Sequence, residues 1–343
     1  MSTHVRRALA LACLALVVGA ALPAATTASF PGPNGRIAFM RFDANGEFQV
    51  WVANPDLSHQ VQLTHGPGSD AWFPTWSPDG TRIAFSSHRA DPDPTDEVEI
   101  SDLYTMRPDG TEVRKLTDSR WFNGTPSWSP DGRSLVFSSD GGNYPAGQGI
   151  YIVASDGSTQ PRQLTSITGR AIWHELAKVS PDGRRIVFTE YRTVDAPEGQ
   201  LEQSALFTVR LDGSRLRRLT AWEISANDAD WSPDGRRIVF SARLAENDFI
   251  QSIMTVDAEG GQLRLLTDGD QARGEGADFR YQESFNPAWS PDGTRIMFVR
   301  ATFTEADGFA MGLQTMKPNG SGRVALSFGE EHQPDWGSAP AIP

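Results

Sequence analysis

Five copies of the tetrapeptide Ser-Pro-Asp-Gly punctuate the chain, at Ser77–Gly80, Ser129–Gly132, Ser180–Gly183, Ser232–Gly235 and Ser290–Gly293. Each reads as a tight strand reversal. Pro fixes φ for the first corner of a type I turn, Asp suits the second, and Gly accepts the left-handed conformation that follows. Four copies follow a tryptophan directly (Trp76, Trp128, Trp231, Trp289) and the fifth follows Val179. Behind each turn runs an alternating segment such as Arg133-Ser134-Leu135-Val136-Phe137, so every copy marks one antiparallel hairpin. A repeat of roughly fifty residues falls in the range of propeller blades.

Most units continue with a third apolar strand and a second turn: Leu103–Met106 before Pro108-Asp109-Gly110, Ile150–Val153 before Asp156-Gly157, and Leu206–Val209 before Asp212-Gly213. Each unit then closes on Leu-Thr, at Leu63-Thr64, Leu116-Thr117, Leu164-Thr165, Leu219-Thr220 and Leu266-Thr267, with Leu326-Ser327 as the variant. A lone four-stranded sheet cannot bury two apolar faces, so successive sheets must stack around an axis as a β-propeller. The first unit, from Asn34 to Thr64, has no tryptophan strand before it, and Gln333-Pro334-Asp335-Trp336 supplies one from the far end of the chain. The expectation is an all-β, six-bladed propeller of four-stranded antiparallel blades over residues 29–343. Its ring closes where the C-terminal strand joins the N-terminal blade, which removes exposed edges.

Residues 1–28 read as an export signal, with Arg6 and Arg7, an apolar run from Ala8 to Leu22 and a Thr26-x-Ala28 cleavage pattern. That run is short for a membrane span, so membrane contact is expected only through the signal. The location expected is extracellular or in the cell envelope. The one cysteine, Cys13, lies within the signal, leaving the mature chain without disulfides or a thiol nucleophile. The formal charge of −12 argues against nucleic acid as a partner. A monomer is expected.

Propeller topology puts both short turns of every unit on one face of the disc. The long segments His88–Ile100, Tyr191–Gln203, Arg243–Phe249, Asp268–Ser284 and Ala301–Gly312 read as irregular loops on the opposite face, where function is expected. Two of them are acidic, with Asp91, Asp93, Asp96, Glu97 and Glu99 in one and Asp268, Asp270, Glu275, Asp278 and Glu283 in the other. A basic protein surface or a Ca²⁺ ion would suit them, as would plain solvation. Asp268-Gly269-Asp270 lacks the remaining spacing of a calcium loop. The segments entering the inner strands converge on the channel mouth, and their polar residues form the candidate ligand site: Asp70, Asn123, His174, Glu175, Asn227, Asp228, Asn286, Glu331 and His332. The same groups could equally hydrate a water-filled channel.

No G-x-S-x-G nucleophile elbow is present. His174-Glu175-Leu176-Ala177-Lys178 begins like a zinc-protease motif but has Lys178 at the second histidine position. No catalytic residue is therefore assigned and no cofactor is expected. The alternatives are Ca²⁺, or a transition metal on His174 and His332 with Glu175 or Glu331.

The repeated Pro-x-Trp-Ser-Pro-Asp-Gly-x-x-Ile-x-Phe, followed by Leu-Tyr-x-Met and Leu-Thr, resembles the WD40-like repeat of the TolB propeller family, from Asn34 to Trp336. The resemblance implies an exported envelope module that binds proteins and carries out no catalysis. TolB has an α/β domain before its propeller, whereas here Phe30 to Pro33 alone separate the signal from the first blade, which weighs against a Tol-system role. The repeat is also similar to the propellers of prolyl oligopeptidase and tricorn peptidases, whose catalytic domain is not expected here. It is similar as well to oligogalacturonate lyases, which implies a histidine-bound metal at the channel. The reading is a non-catalytic protein- or peptide-binding module that uses the loop-bearing face and channel mouth. The alternative is a metal-dependent lyase or hydrolase acting on an extracellular polymer.

Overall fold

The serine of each Ser-Pro-Asp-Gly turn holds the turn together from inside. Its hydroxyl donates to the aspartate two residues on, at 2.6–2.7 Å, as from Ser77 to Asp79 and Ser232 to Asp234. It also accepts the backbone N–H five residues on, as from Arg82 and Arg237. The glycine sits at φ between 67° and 70° in all five copies, a conformation that costs other residues about 1 kcal/mol or more.

The computed structural model describes residues 30–338 except 67, 91–99, 119–120, 142–146, 168–170, 197–198, 245–249, 268–269, 274–278, 305–307, 328 and 330. The proposed signal, residues 1–28, lies outside this set. The described chain forms six antiparallel sheets around an axis. In blade 2 the strands are Ala71–Trp76, Ile83–Ser87, Asp102–Met106 and Arg114–Lys115, ordered from the axis outward. Blade 3 repeats this order with Asn123–Trp128, Ser134–Ser139, Gly149–Ala154 and Arg162–Gln163. Blade 4 comprises Ile172–Val179, Arg185–Ala196, Gly199–Arg210 and Arg217–Arg218, and blade 5 comprises Asn227–Trp231, Arg237–Arg243, Gln251–Asp257 and Arg264–Leu265. Blade 6 is built from Phe279–Trp289, Ile296–Thr304, Gly308–Met316 and Val324–Ala325, with Asp270–Arg273 added along its inner strand. Blade 1 takes Ile37–Phe42, Phe48–Ala53 and Val61–Gln62 from one end of the chain and His332–Trp336 from the other. The pairing of Ile37 with Trp336 closes the ring as expected.

Burial follows the repeat. The phenylalanine of each second strand, Phe39, Phe85, Phe137, Phe188, Phe240 and Phe298, is fully buried. Truncating such a residue to Ala typically costs about 3–5 kcal/mol. The apolar clusters bridge neighbouring blades: one joins Val187 and Leu206 of blade 4 to Trp231 and Phe240 of blade 5, and another joins Phe39 of blade 1 to Phe285 and Val299 of blade 6.

Two devices explain repeat residues that hydrophobic pattern leaves unaccounted for. First, the hydroxyl closing each unit accepts a third-strand backbone N–H at 2.8–3.0 Å, pairing Val50 with Thr64, Leu103 with Thr117 and Ile150 with Thr165. Leu206 with Thr220, Ile253 with Thr267 and Leu313 with Ser327 complete the set. The serine variant keeps the acceptor, which is what the position requires. Second, the glycine of the later turn presses on the preceding blade. A Cβ on Gly110, Gly213, Gly260 or Gly320 would stand 2.8–3.0 Å from the carbonyl oxygen of Leu63, Leu164, Leu219 or Leu266.

In three of the segments read as irregular loops the described residues are regular structure. Tyr191–Gln203 lies almost wholly in a hairpin extending the two middle strands of blade 4, with pairing out to Ala196 and Gly199. Ala301–Gly312 extends the same hairpin of blade 6, paired out to Thr304 and Gly308. Asp268–Ser284 contributes Asp270–Arg273, paired with the start of the blade 6 inner strand. A ribbon rising beyond the disc has solvent on both faces, so it loses the apolar alternation by which strands are recognised. Most of the His88–Ile100 and Arg243–Phe249 segments lies outside the described residues.

Candidate functional site

The six inner strands align on the tryptophan position, which Val179 fills in blade 4 and Trp336 in blade 1. Three residues before it stand Phe73, Thr125, Leu176, Asp228, Asn286 and Gln333, every one with φ between 50° and 60°. Left-handed backbone at a residue other than glycine is strained by roughly 1–2 kcal/mol, and here it recurs in all six blades. The pairing register slips at this point in every inner strand; for example Trp72 pairs with Ser86 but Thr75 with Ala84. The result is a ring of β-bulges, a device that re-aims side chains.

This ring holds the wall of the channel together. Phe73 of blade 2 packs with Leu176, Trp173 and Tyr191 of blade 4, so apolar groups span the axis. Gln333 accepts the N–H of Phe73 at 3.1 Å, and the Asn286 amide donates to Asp228 at 3.2 Å. One layer deeper, Asp335 accepts the N–H of Trp76 at 2.6 Å, Asp230 that of Trp289 at 2.7 Å, and Ser127 that of Val179 at 3.3 Å. Inner-strand N–H groups, which lack a neighbouring strand, are thereby satisfied by the adjacent blade.

Lys178 occupies the equivalent position in blade 4 and is 0% exposed, with an ammonium that has no hydrogen-bond partner among the described residues. Burial pushes its pKa down to about 8 against the opposing pull of Asp230, Asp335 and Asp228. Burial in turn holds the Asp228 carboxyl well above its usual range, despite Lys178, Asn286 and Arg243. One buried ammonium faces three buried carboxylates from two other blades, so the axis at this level is a filled core rather than an open pore.

The nine residues named from sequence fall into distinct places. Asp70 accepts the backbone N–H of Phe48 at 2.5 Å, tying blade 2 to blade 1. Asn123, His174 and Glu331 enter the strands five residues before the tryptophan position and lie at blade junctions. There the Asn123 amide donates to Asp102 and Thr117, and His174 bonds Thr165 and Glu190, each at 2.9 Å. Glu331 accepts from Ser327 at 2.6 Å and pairs with Arg41. Glu175, Asn227 and His332 come one residue later. Glu175 shares the field of Tyr191 and Asp228, Asn227 is buried, and His332 meets the stacked rings of Phe42 and Phe48 edge-on. Asp228 and Asn286 belong to the axial ring itself. Thus His174 and His332 are held in different surroundings, and among the described residues no group of three or more His, Cys, Asp or Glu could hold a metal ion. Of the ten loop acids, eight lie outside the described residues, and the side chain of Asp270 is not among those described. Glu283 is buried against Gln251 and Tyr281.

Lys178, Tyr191 and Arg243 are the residues of this candidate region that sequence reasoning passed over. Aligning the six strands on tryptophan would have exposed Lys178, since Thr75, Ser127, Asp230, Ala288 and Asp335 hold its place elsewhere. Tyr191 and Arg243 carried no comparable signal, because they end or extend strands where the repeat no longer applies.

No protein-family model matches the chain. It is 28% identical over 226 residues to the uncharacterized peptidase YuxL of Bacillus subtilis, covering 63% of this chain but 29% of that protein. It is 31% identical over 239 residues to the uncharacterized protein Atu1656 of Agrobacterium fabrum, covering 65% and 68%. With the Tol-Pal system protein TolB of Alcanivorax borkumensis it shares 37% identity over 103 residues, 29% of this chain and 22% of the other. The chain therefore spans under a third of the length of both YuxL and that TolB. Among solved structures, TolB from Acinetobacter baumannii superimposes with a TM-score of 0.63 at 21% identity, covering 88% of this chain and 66% of that one. An oligogalacturonate lyase in complex with manganese gives 0.54 at 14% identity, covering 87% and 74%. At such identities these two likenesses concern the fold alone.

Proposed function

Because the chain is a TolB-like β-propeller homologue and belongs to the family of Agrobacterium Atu1656, we propose that it is an exported, non-catalytic module that binds a protein or peptide. The partner engages the loop-bearing face and the channel mouth. The observation that carries this reading is the pair of hairpins rising from that face with apolar residues outward, Leu201 at 46% exposure and Phe309 at 58%. Apolar side chains on projecting ribbons suit docking better than chemistry. The filled axis adds to this, since a partner meets a surface at the mouth and not a through-channel.

The TolB resemblance supports a protein partner and a cell-envelope or extracellular location, in line with the export pattern of residues 1–28. The propeller acts as a monomer. Two measurements test the reading. Cross-linking of the purified protein in envelope extracts is expected to yield one reproducible partner, lost when residues 302–310 are replaced by an Asn-Gly turn or when Phe309 becomes Ser. Metal analysis is expected to find no stoichiometric transition metal; a metal lost in His174→Ala and His332→Ala would instead favour a lyase or hydrolase.

A further inference from the structure

Where blades 4 and 5 meet on the loop-bearing face, a cleft is lined by Tyr191, Glu202, Ser204, Ser225, Asn227 and Arg243, enclosing about 270 Å³ of empty space including its mouth. Its walls are firm. Tyr191 is paired with Trp173 on one side and Ser204 on the other, and its ring stacks on Trp173 at 5.4 Å with an interplanar angle of 7°.

The cleft gathers donors that have nothing to bond. The Tyr191 hydroxyl is buried, without a hydrogen-bond partner among the described residues, on a residue only 4% exposed. Arg243 ends the second strand of blade 5, its Nε is likewise buried and unbonded, and no carboxylate oxygen stands within ion-pair distance of it among the described residues. Asp228, Glu202 and Glu283 share the field of the guanidinium, yet among the described residues its buried Nε–H finds no acceptor. A buried donor without an acceptor costs about 1–3 kcal/mol, so two in one small cleft is a standing deficit that an acceptor would remove.

The chemistry of that acceptor follows from the donors. Arginine has five N–H groups and no acceptor, in a planar fork that matches a carboxylate in two bonds. The phenol adds a third donor. Burial raises the pKa of Tyr191 well above its ordinary value, so its proton stays in place to be donated. The room available suits one terminal group rather than a folded element.

We propose that this cleft is a carboxylate-binding subsite: Arg243 and Tyr191 grip one carboxylate of a bound peptide, either an acidic side chain or a chain terminus. The assignment rests on the peptide-binding reading above but is tested apart from it. Wild-type protein is titrated with N-acetylglycine, with the amide of N-acetylaspartate, and with neutral N-acetylglycinamide, following the backbone amide signals of Ser204 and Asn227 by NMR. Both carboxylates are expected to give saturable shifts and the neutral amide none, and the tighter of the two acids identifies the source. Arg243→Gln is expected to weaken binding at least tenfold. Tyr191→Phe keeps the ring stack and is expected to weaken it about threefold or more. Saturable, Arg243-dependent binding supports the site whether or not a protein partner is captured. Absence of saturation in the wild type overturns it, as does equal binding by the neutral amide or by Arg243→Gln.

Discussion

The backbone N–H of Trp76 donates to the Asp335 carboxylate at 2.6 Å, joining residues 259 positions apart across the junction that closes the ring. Trp289 and Asp230 make the same bond between blades 6 and 5 at 2.7 Å. Asp335→Ala leaves that N–H without its acceptor and removes one of the charges facing Lys178. Stability is expected to fall by about 2–4 kcal/mol, with Asp335→Asn recovering part because it keeps an acceptor oxygen. Urea unfolding of the three proteins measures this.

The closing hydroxyl of each unit gives a second expectation. Thr220→Val conserves shape but removes the acceptor for the buried Leu206 N–H, so it is expected to destabilise by about 1–3 kcal/mol. Thr220→Ser retains the bond, as Ser327 does naturally, and is expected to cost under half as much. Equal losses in the two variants would mean that packing of the methyl, not the hydrogen bond, governs the position.

The two turn types differ in how glycine is used. Gly213 and Gly235 both have left-handed backbone, at φ 84° and 67°, but a Cβ on Gly213 would meet the Leu164 oxygen at 2.9 Å, whereas one on Gly235 would stand 3.9 Å from Pro181. Gly235→Ala is expected to cost about 1 kcal/mol from backbone strain. Gly213→Ala is expected to cost appreciably more, because the obstacle is the backbone of a neighbouring blade. Thermal unfolding of the pair checks the order.

Burial lowers the His332 pKa to about 4, with Glu331 opposing the shift. The unfolded chain therefore binds a proton near pH 6.5 that the folded chain takes up only near pH 4, and stability falls as pH drops through that window, by about 3 kcal/mol in all. His332→Phe retains a ring against Phe42 and Phe48 but cannot titrate. Its unfolding free energy is expected to fall less steeply than that of the wild type between pH 6.5 and 4, as urea titrations at stepped pH would show.

Blade number and ring closure were legible because repeated turns and tryptophans report on backbone geometry, which periodicity encodes directly. The Asn123, His174 and Glu331 positions were recognisable as strand entries, yet their partners were not, since Thr117, Thr165 and Ser327 close the preceding unit at separations of 6, 9 and 4 residues, which set up no constant spacing. The extended hairpins escaped notice because Thr193, Asp195, Gln200 and Glu202 sit on a ribbon wetted from both sides. The left-handed ring escaped for a different reason: Phe73, Thr125 and Leu176 are residues that ordinarily avoid that conformation, and only the surrounding blades impose it.

The pairing of Ile37–Phe42 with His332–Trp336 also sets an order of events during synthesis. The first strand to leave the ribosome must wait, one edge unmated, until nearly three hundred further residues have been made (roughly the span the ring encloses), since loop closure on that scale precedes any gain from the pairing. A nascent chain stalled before His332 would present that naked edge to chaperones and proteases. Pairing of His332–Trp336 is thus the step that turns an open stack of sheets into a closed ring.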